Sequence, residues 1–337
     1  MMNKRLKQGS TFLLAVALTF PLLTLPGAKA ASAINTGQKC SIEFDISGNS
    51  SELLSASIPV KLYKVASVDE SGNYTGIGAF SKLDLSSVSA DNLDAAAATW
   101  AERAAEAKKL LKDDTEPTTT TLTQGRGTAT GLDTGLYLVD TPKVITPNYT
   151  YTFTPYLVSL PTNNYYSGNG ASDDWIYDLT KEHNSAVGLK PEQHVRYGNL
   201  VINKELVDYN ATFGNNATFV FQIDITTLDK KTETRIEELT FNAAGSDSVT
   251  IEKIPAGSTV TVTEVYSGAS YKLTSENKVK ATIVANDEKE AGQAGETAVV
   301  SFTNEHDGRT NGGYGVKNNF KLNEYGQYDY TKPAEKN

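Results

Sequence analysis

Beyond its first thirty residues the chain is a succession of short runs in which apolar and polar residues alternate: CSIEFDIS, IPVKLYKVAS, GLYLVDT, YTFTPYLVSL, LVINKELV, ATFVFQIDI, SVTIEKI, STVTVTEVY and AVVSFTNE. A period of two puts every second side chain on one face of a strand, and the Gly, Asn, Asp, Ser and Pro clusters between the runs supply turns. Such a chain is constrained to antiparallel sheets packed face to face, an all-β sandwich architecture. One stretch breaks the pattern. Residues 89–113 place Leu93, Ala97, Trp100, Ala104, Ala107 and Leu111 on one stripe after a capping residue, which predicts a single amphipathic helix docked on a sheet. For Trp100 this reads as packing, not as a cofactor site.

The 337 residues suffice for two domains. EPTTTTLTQGRGTATG runs straight into LDTGLYLVD and reads as a hairpin within the first domain, since threonine is a good strand former. The boundary is expected in LKPEQHVRYG, residues 189–198. The predicted organisation is a signal peptide at 1–30, an N-terminal domain at 31–196, a second domain at 197–306 and a polar tail or hairpin at 307–337. In the signal, Lys4, Arg5 and Lys7 precede an apolar run from Phe12 to Leu25 and the small-x-small site Ala28-Lys29-Ala30, so the mature chain is expected to begin near Ala31, outside the membrane.

An exported chain with one cysteine has no intramolecular disulfide, so its stability must come from elsewhere. Cys40 shares strand parity with Ile42, Phe44 and Ile46 and reads as a buried small hydrophobe. A net charge of −9, from 40 acidic and 31 basic residues, argues against a nucleic-acid partner. His183, His194 and His306 lack metal-ligand spacing, and no phosphate loop, G-x-S-x-G or H-E-x-x-H occurs. No cofactor, metal or enzymatic activity is expected.

Three strands of the second domain place a polar residue on the apolar face. Lys204 lies with Leu200, Ile202 and Leu206; Glu264 with Val260, Val262 and Tyr266; Asn304 with Val300 and Phe302. A sheet edge or a hydrogen-bonded cluster would account for them. Chemistry would also, because burial lowers the pKa of a lysine and raises that of a glutamate. A neutral amine held against an amide is a nucleophile facing an electrophile, and a protonated glutamate between them can donate to the amide oxygen and move a proton to departing ammonia.

On the stretches VINKEL, IPAGSTVTVTEVY and VSFTNE, residues 197–306 resemble the isopeptide-containing Ig-like domains of Gram-positive pilins and collagen-adhesin B-type (CnaB-type) repeats. The resemblance implies a spontaneous bond from Lys204 to Asn304, assisted by Glu264. The first domain resembles the N-terminal domain of the same subunits through IPVKLYKVASVDESGNYT, TGLYLVDT, YTFTPYLVSLP and DDWIYDLT. The fold then expected is two tandem Ig-like/CnaB-type β-sandwich domains, the first with one inserted amphipathic helix. Asp140 and Lys64 fall on apolar faces of the first domain and read as ordinary strand-end residues.

Sortase-assembled pilins carry a lysine near the end of the first domain; VGLKPE makes Lys190 the polymerisation candidate here. No LPxTG-like motif follows Asn304, so anchoring through this C-terminus by the standard sortase route is not expected. The implied function is a structural subunit of a bacterial surface pilus or fimbria, with other pilin subunits and a sortase as partners. The alternative is a secreted or surface adhesin binding host matrix or glycans, with Tyr165 and Tyr166 as candidate stacking residues. A third reading has the tail completing a neighbouring subunit as a donor strand. Asn49, Asn73, Asn148, Asn210 and Asn216 head Asn-x-Ser/Thr triplets of the kind that Asn- and Thr-rich loops create by chance.

Overall fold

The computed structural model describes residues 32–90, 97–163, 175–180, 186–211, 216–287, 296–309, 319–322 and 328–331. The expected signal peptide, Leu93, Tyr165, Tyr166, His183 and most of the tail lie outside the described residues. Two compact units result, Met1–Thr146 with Thr150–His194, and Pro147–Tyr149 with Val195–Asn337. The short piece at 147–149 groups with the second unit because the Arg196 N–H donates to the Asn148 carbonyl at 3.0 Å.

In the first unit the strands are β1 (Cys40–Asp45), β2 (Ile58–Val68), β3 (Tyr74–Gly76), β4 (Thr118–Leu122), β5 (Arg126–Leu132), β6 (Gly135–Asp140), β7 (Val144–Ile145), β8 (Tyr149–Phe153), β9 (Tyr156–Leu160), β10 (Thr162–Asn163), β11 (Trp175–Ile176), β12 (Asp178–Leu179) and β13 (Pro191–Val195). One sheet runs β3-β2-β6-β9 with β4 also on β2, another β12-β1-β5, a third β13-β8-β7, and β10 pairs with β11. Strand β6 is buried on both faces, as its apolar run GLYLV allows. The TTTTLTQGRGTATG segment is a hairpin whose arms join different sheets. Its turn closes with Thr123 and Arg126 exchanging backbone bonds at 2.9 and 3.1 Å around Gln124 and Gly125, both at positive φ.

Helix α2 (Ala97–Leu110) buries Ala104 and Ala107, with Trp100, Leu110 and Leu111 packed on the same cluster as Leu136 and Leu138. It stops before the expected end at 113, where Asp113 and Asp114 would place negative charge on the negative pole of the helix dipole. A second helix, α1 (Ser51–Ser55), was not expected; Ser50 caps it by accepting from the Leu53 N–H. Cys40 is buried, and burial pushes its thiol up to about 12. Between Lys64 and Ala66 the β2–β6 register shifts, a bulge that lets Val65 and Ala66 both face inward, while Lys64, ahead of the bulge and opposite Tyr137, keeps the face of Leu62. Lys64 approaches Asp133 at 3.9 Å, while Asp140 pairs with Lys108 of α2.

The second unit is a two-layer sandwich. Its strands are β14 (Tyr197–Leu206), β15 (Ala217–Thr226), β16 (Thr232–Phe241), β17 (Gly245–Pro255), β18 (Thr259–Tyr266), β19 (Tyr271–Leu273), β20 (Lys278–Thr282) and β21 (Ala298–His306). One sheet runs β17-β14-β21-β19, the other β16-β15-β18-β20. The first and last strands of the unit are parallel neighbours, with Lys204 opposite Phe302 and Leu206 opposite Asn304. Phe219, Phe221, Ile223, Ile202, Val260, Val262 and Phe302 fill the space between the layers. Each contributes on the order of 1.5–3 kcal/mol by leaving water. Residues β22 (Asn319–Leu322) and β23 (Tyr328–Thr331) of the tail form an antiparallel pair.

Gly198 permits a close crossing at the start of β14. A Cβ there would stand 1.9 Å from the Val284 carbonyl oxygen, a backbone atom that cannot swing away. Gly198→Ala is expected to destabilise the second unit by roughly 1–3 kcal/mol, read as a lower urea midpoint.

Candidate functional site

Strand alternation on β14, β18 and β21 delivers Lys204, Glu264 and Asn304 to the interior, where they are 0 %, 4 % and 0 % exposed. Lys204 and Asn304 come from adjacent strands of one sheet, and Glu264 from the facing sheet, where it opposes Phe221 on β15. The Lys204 amine donates to Asn304 Oδ1 at 2.6 Å and to the Glu205 carbonyl at 3.0 Å. Asn304 Nδ2 donates to Glu264 Oε1 at 2.7 Å. The other carboxyl oxygen, Oε2, lies 3.9 Å from the amine.

The surroundings are aromatic. The Lys204 amine sits 4.5 Å from the centroid of Phe219, and Phe221 and Phe302 tilt against each other at 5.1 Å. Burial pushes the Lys204 amine down to about 8, against the pull of Glu264 and Glu205. Burial likewise pushes the Glu264 carboxyl above its usual 4.5, against the hydrogen bonds from Asn304 and Ser267 and the charge of Lys204, which lower it. Both shifts favour an uncharged amine beside an uncharged acid.

One detail departs from the sequence expectation. Glu264 contacts the amide nitrogen of Asn304, not its oxygen, because Lys204 already occupies the oxygen. The carboxyl therefore addresses both nitrogens, one oxygen towards the amide that would leave and one towards the amine that would attack. Phe219 and the Glu205 carbonyl carry no signal in sequence. Phe219 shows inward parity like any core residue, and a backbone acceptor is invisible to composition.

The other singled-out residues are not drawn into this cluster. Lys190 is exposed in the first unit, with its amine 5.4 Å from the Tyr156 ring centroid. His194 approaches Thr152 at 3.1 Å and His306 the Arg309 carbonyl at 3.1 Å. Among the described residues no cluster of three His, Cys, Asp or Glu side chains is placed to hold a metal, and no helix is long and apolar enough to cross a membrane.

A family model described as "Domain of unknown function (DUF5979)" matches residues 200–307, which contain all three site residues. No curated protein matches the chain. Among solved structures it is similar to a minor pilin of Streptococcus agalactiae, at 13% identity over 74% of this chain and 82% of that one, with a TM-score of 0.22. It is also similar to the full-length major pilin of Corynebacterium diphtheriae, at 12% identity over 81% and 99%, TM-score 0.25. A third likeness is to a major pilin of Streptococcus pyogenes, at 11% identity over 83% and 99%, TM-score 0.23. At these scores the likenesses carry no argument about function, which rests on the geometry of the second unit.

Proposed function

We propose that this chain is a structural subunit of a Gram-positive surface pilus or fimbria whose second unit staples itself with a Lys204–Asn304 isopeptide bond. The observation that carries the proposal is a buried amine 2.6 Å from a buried amide with a carboxyl reaching both nitrogens. In the reactive form the amine is neutral and Glu264 is protonated. The amine nitrogen attacks Asn304 Cγ, Glu264 delivers its proton to Nδ2, and the Cγ–Nδ2 bond breaks. The attacking nitrogen then gives one proton to the carboxylate, so ammonia leaves, an amide remains and Glu264 is restored. The fold supplies the proximity that a bimolecular aminolysis lacks.

The bond would tie the first strand of the unit to the last, so tension entering at Tyr197 would cross from Lys204 to Asn304 without loading the residues between those two. Such a staple suits an exported chain with one cysteine. For the fibre itself, high-mass ladders that survive boiling in detergent, reacting with antibody to this chain on cell-surface extracts, are the expected result. A monomer alone in those extracts, binding matrix proteins or glycans, would overturn the fibre reading in favour of an adhesin.

The reaction has an expected pH profile. Between the two ionisations Lys204 and Glu264 share one proton, and the tautomer with a neutral amine and a protonated carboxyl is reactive. Below the Glu264 ionisation, which lies above 4.5, both groups are protonated and the amine is blocked. Above about 8 the pair has lost its proton and the departing nitrogen receives none. Ammonia loss during folding, followed by intact mass, is therefore expected to be bell-shaped with its upper limb near about 8.

A further inference from the structure

We propose that Tyr271, Asn210 and Ser270 form a latch that closes the end of the sandwich over Lys204 and holds its amine in the water-free reacting position. The inference rests on the cross-linking reading above and assigns positioning residues to it.

Lys204, Glu264 and Asn304 lie near the same end of the sandwich, where the chain crosses twice between layers. One crossing leaves β14 for β15 after Leu206, and the other leaves β18 for β19 through Ser267–Ser270. Left open, this end would admit water to the amine. The two crossings are instead tied together. The Asn210 N–H donates to the Tyr271 hydroxyl at 3.0 Å, and the Asn210 side-chain amide donates to Ser270 Oγ at 3.2 Å, both bonds buried. The strap after β14 is also fixed to the last strand: the Val207 N–H donates to the Asn304 carbonyl at 2.9 Å, and the His306 N–H to Asp208 Oδ1 at 2.6 Å.

Tyr271 links this closure to the reacting amine. Its ring meets Phe219 edge-on at 5.7 Å, and Phe219 is the ring beneath the Lys204 amine. Phe219 is also met edge-on by Phe241 at 5.7 Å. Gly268 completes the arrangement. It sits at φ +79° in the second crossing, and a Cβ there would fall 2.8 Å from Tyr271 Cδ2. The turn thus lies directly on the tyrosine ring. Asn210, although it heads an Asn-x-Thr triplet, is spent on this contact and is 7 % exposed.

Removing the latch admits water, which favours the charged amine and the charged carboxylate. The experiment is cell-free synthesis of the full chain at a series of pH values, with ammonia loss followed in time by intact mass. Each pKa unit by which the amine recovers lowers its neutral fraction at neutral pH roughly tenfold. Tyr271→Phe, which keeps the ring, is expected to slow the reaction at pH 7 by that order and to move the upper limb of the profile upwards from the wild-type position. Ser270→Ala is expected to act in the same direction with a smaller effect, and it carries the test if Tyr271→Phe does not fold. A wild-type chain that loses ammonia while both variants match its rate and profile would overturn the latch alone. A folded wild-type chain that loses none at any pH would overturn the cross-link, and the latch with it.

Discussion

Intact mass of the folded second unit is expected to fall short of its sequence mass by one ammonia, and Lys204→Ala and Asn304→Ala are each expected to restore the full value. A branched peptide joining the two strands should be recovered from a digest of the wild type and be missing from both variants. The consequence for stability is large because the bond closes a loop of 100 residues. By the chain-entropy treatment of a cross-link, a loop of that size restricts the unfolded chain by about 4–5 kcal/mol. In a unit of this size that corresponds to a fall in melting temperature of roughly 15–30 °C for Asn304→Ala. The variant also leaves a buried amine without its acceptor, which adds to the loss. A wild-type unit carrying its full sequence mass would end the proposal.

Glu264→Gln should separate contact from chemistry. The glutamine can keep the hydrogen bond from Asn304 Nδ2 through its own oxygen, yet it can neither carry the proton to the leaving nitrogen nor take the one released by the amine. Loss of a positioned general acid and base lowers a rate by about 10²–10⁴. The purified variant is therefore expected to be predominantly unlinked. It also has a definite pH dependence. Burial depresses Lys204, and removing Glu264 takes away an interaction that raises it, so the folded amine ionises below about 8. In the unfolded chain it ionises near its usual 10.5. Between those values the unfolded state binds more protons than the folded one, so stability rises with pH across that window. Below it the full penalty of burying the ammonium is present. Urea melts of Glu264→Gln at pH 7 and pH 10 are expected to show higher stability at the alkaline value. Equal stability would mean that the amine stays charged or solvated in the fold.

The fold was legible where local periodicity was strong. Alternation located β14, β15, β17, β18 and β21 of the second unit, though not β16, β19 or β20, and the inward faces of Lys204, Glu264 and Asn304, because a side chain's face depends on its own strand. The helix was legible as a stripe, with its middle buried through Ala104 and Ala107. Its end was misplaced because hydrophobic spacing does not register charge at a helix terminus. Ala66, just past Lys64, illustrates the limit of parity. A single inserted residue in the β2–β6 ladder moves the next side chain to the other face, and that bulge belongs to the pairing, not to the strand. Helix α1 was missed because five residues are too short for a periodic signal, leaving only the Ser50 cap to mark it.

The candidate site divides in the same way. Sequence alone determined which three residues are polar and inward, since alternation is a property of each strand by itself. It also determined that no disulfide holds the unit together. Only the tertiary structure decided that β14 and β21 are parallel neighbours, that Glu264 reaches them from the facing sheet, and that its carboxyl addresses the amide nitrogen. It alone also brought Phe219 beneath the amine and Tyr271 against Phe219. These facts depend on how sheets stack and which strands pair, and those are set by the packing of the whole core, which no single strand encodes.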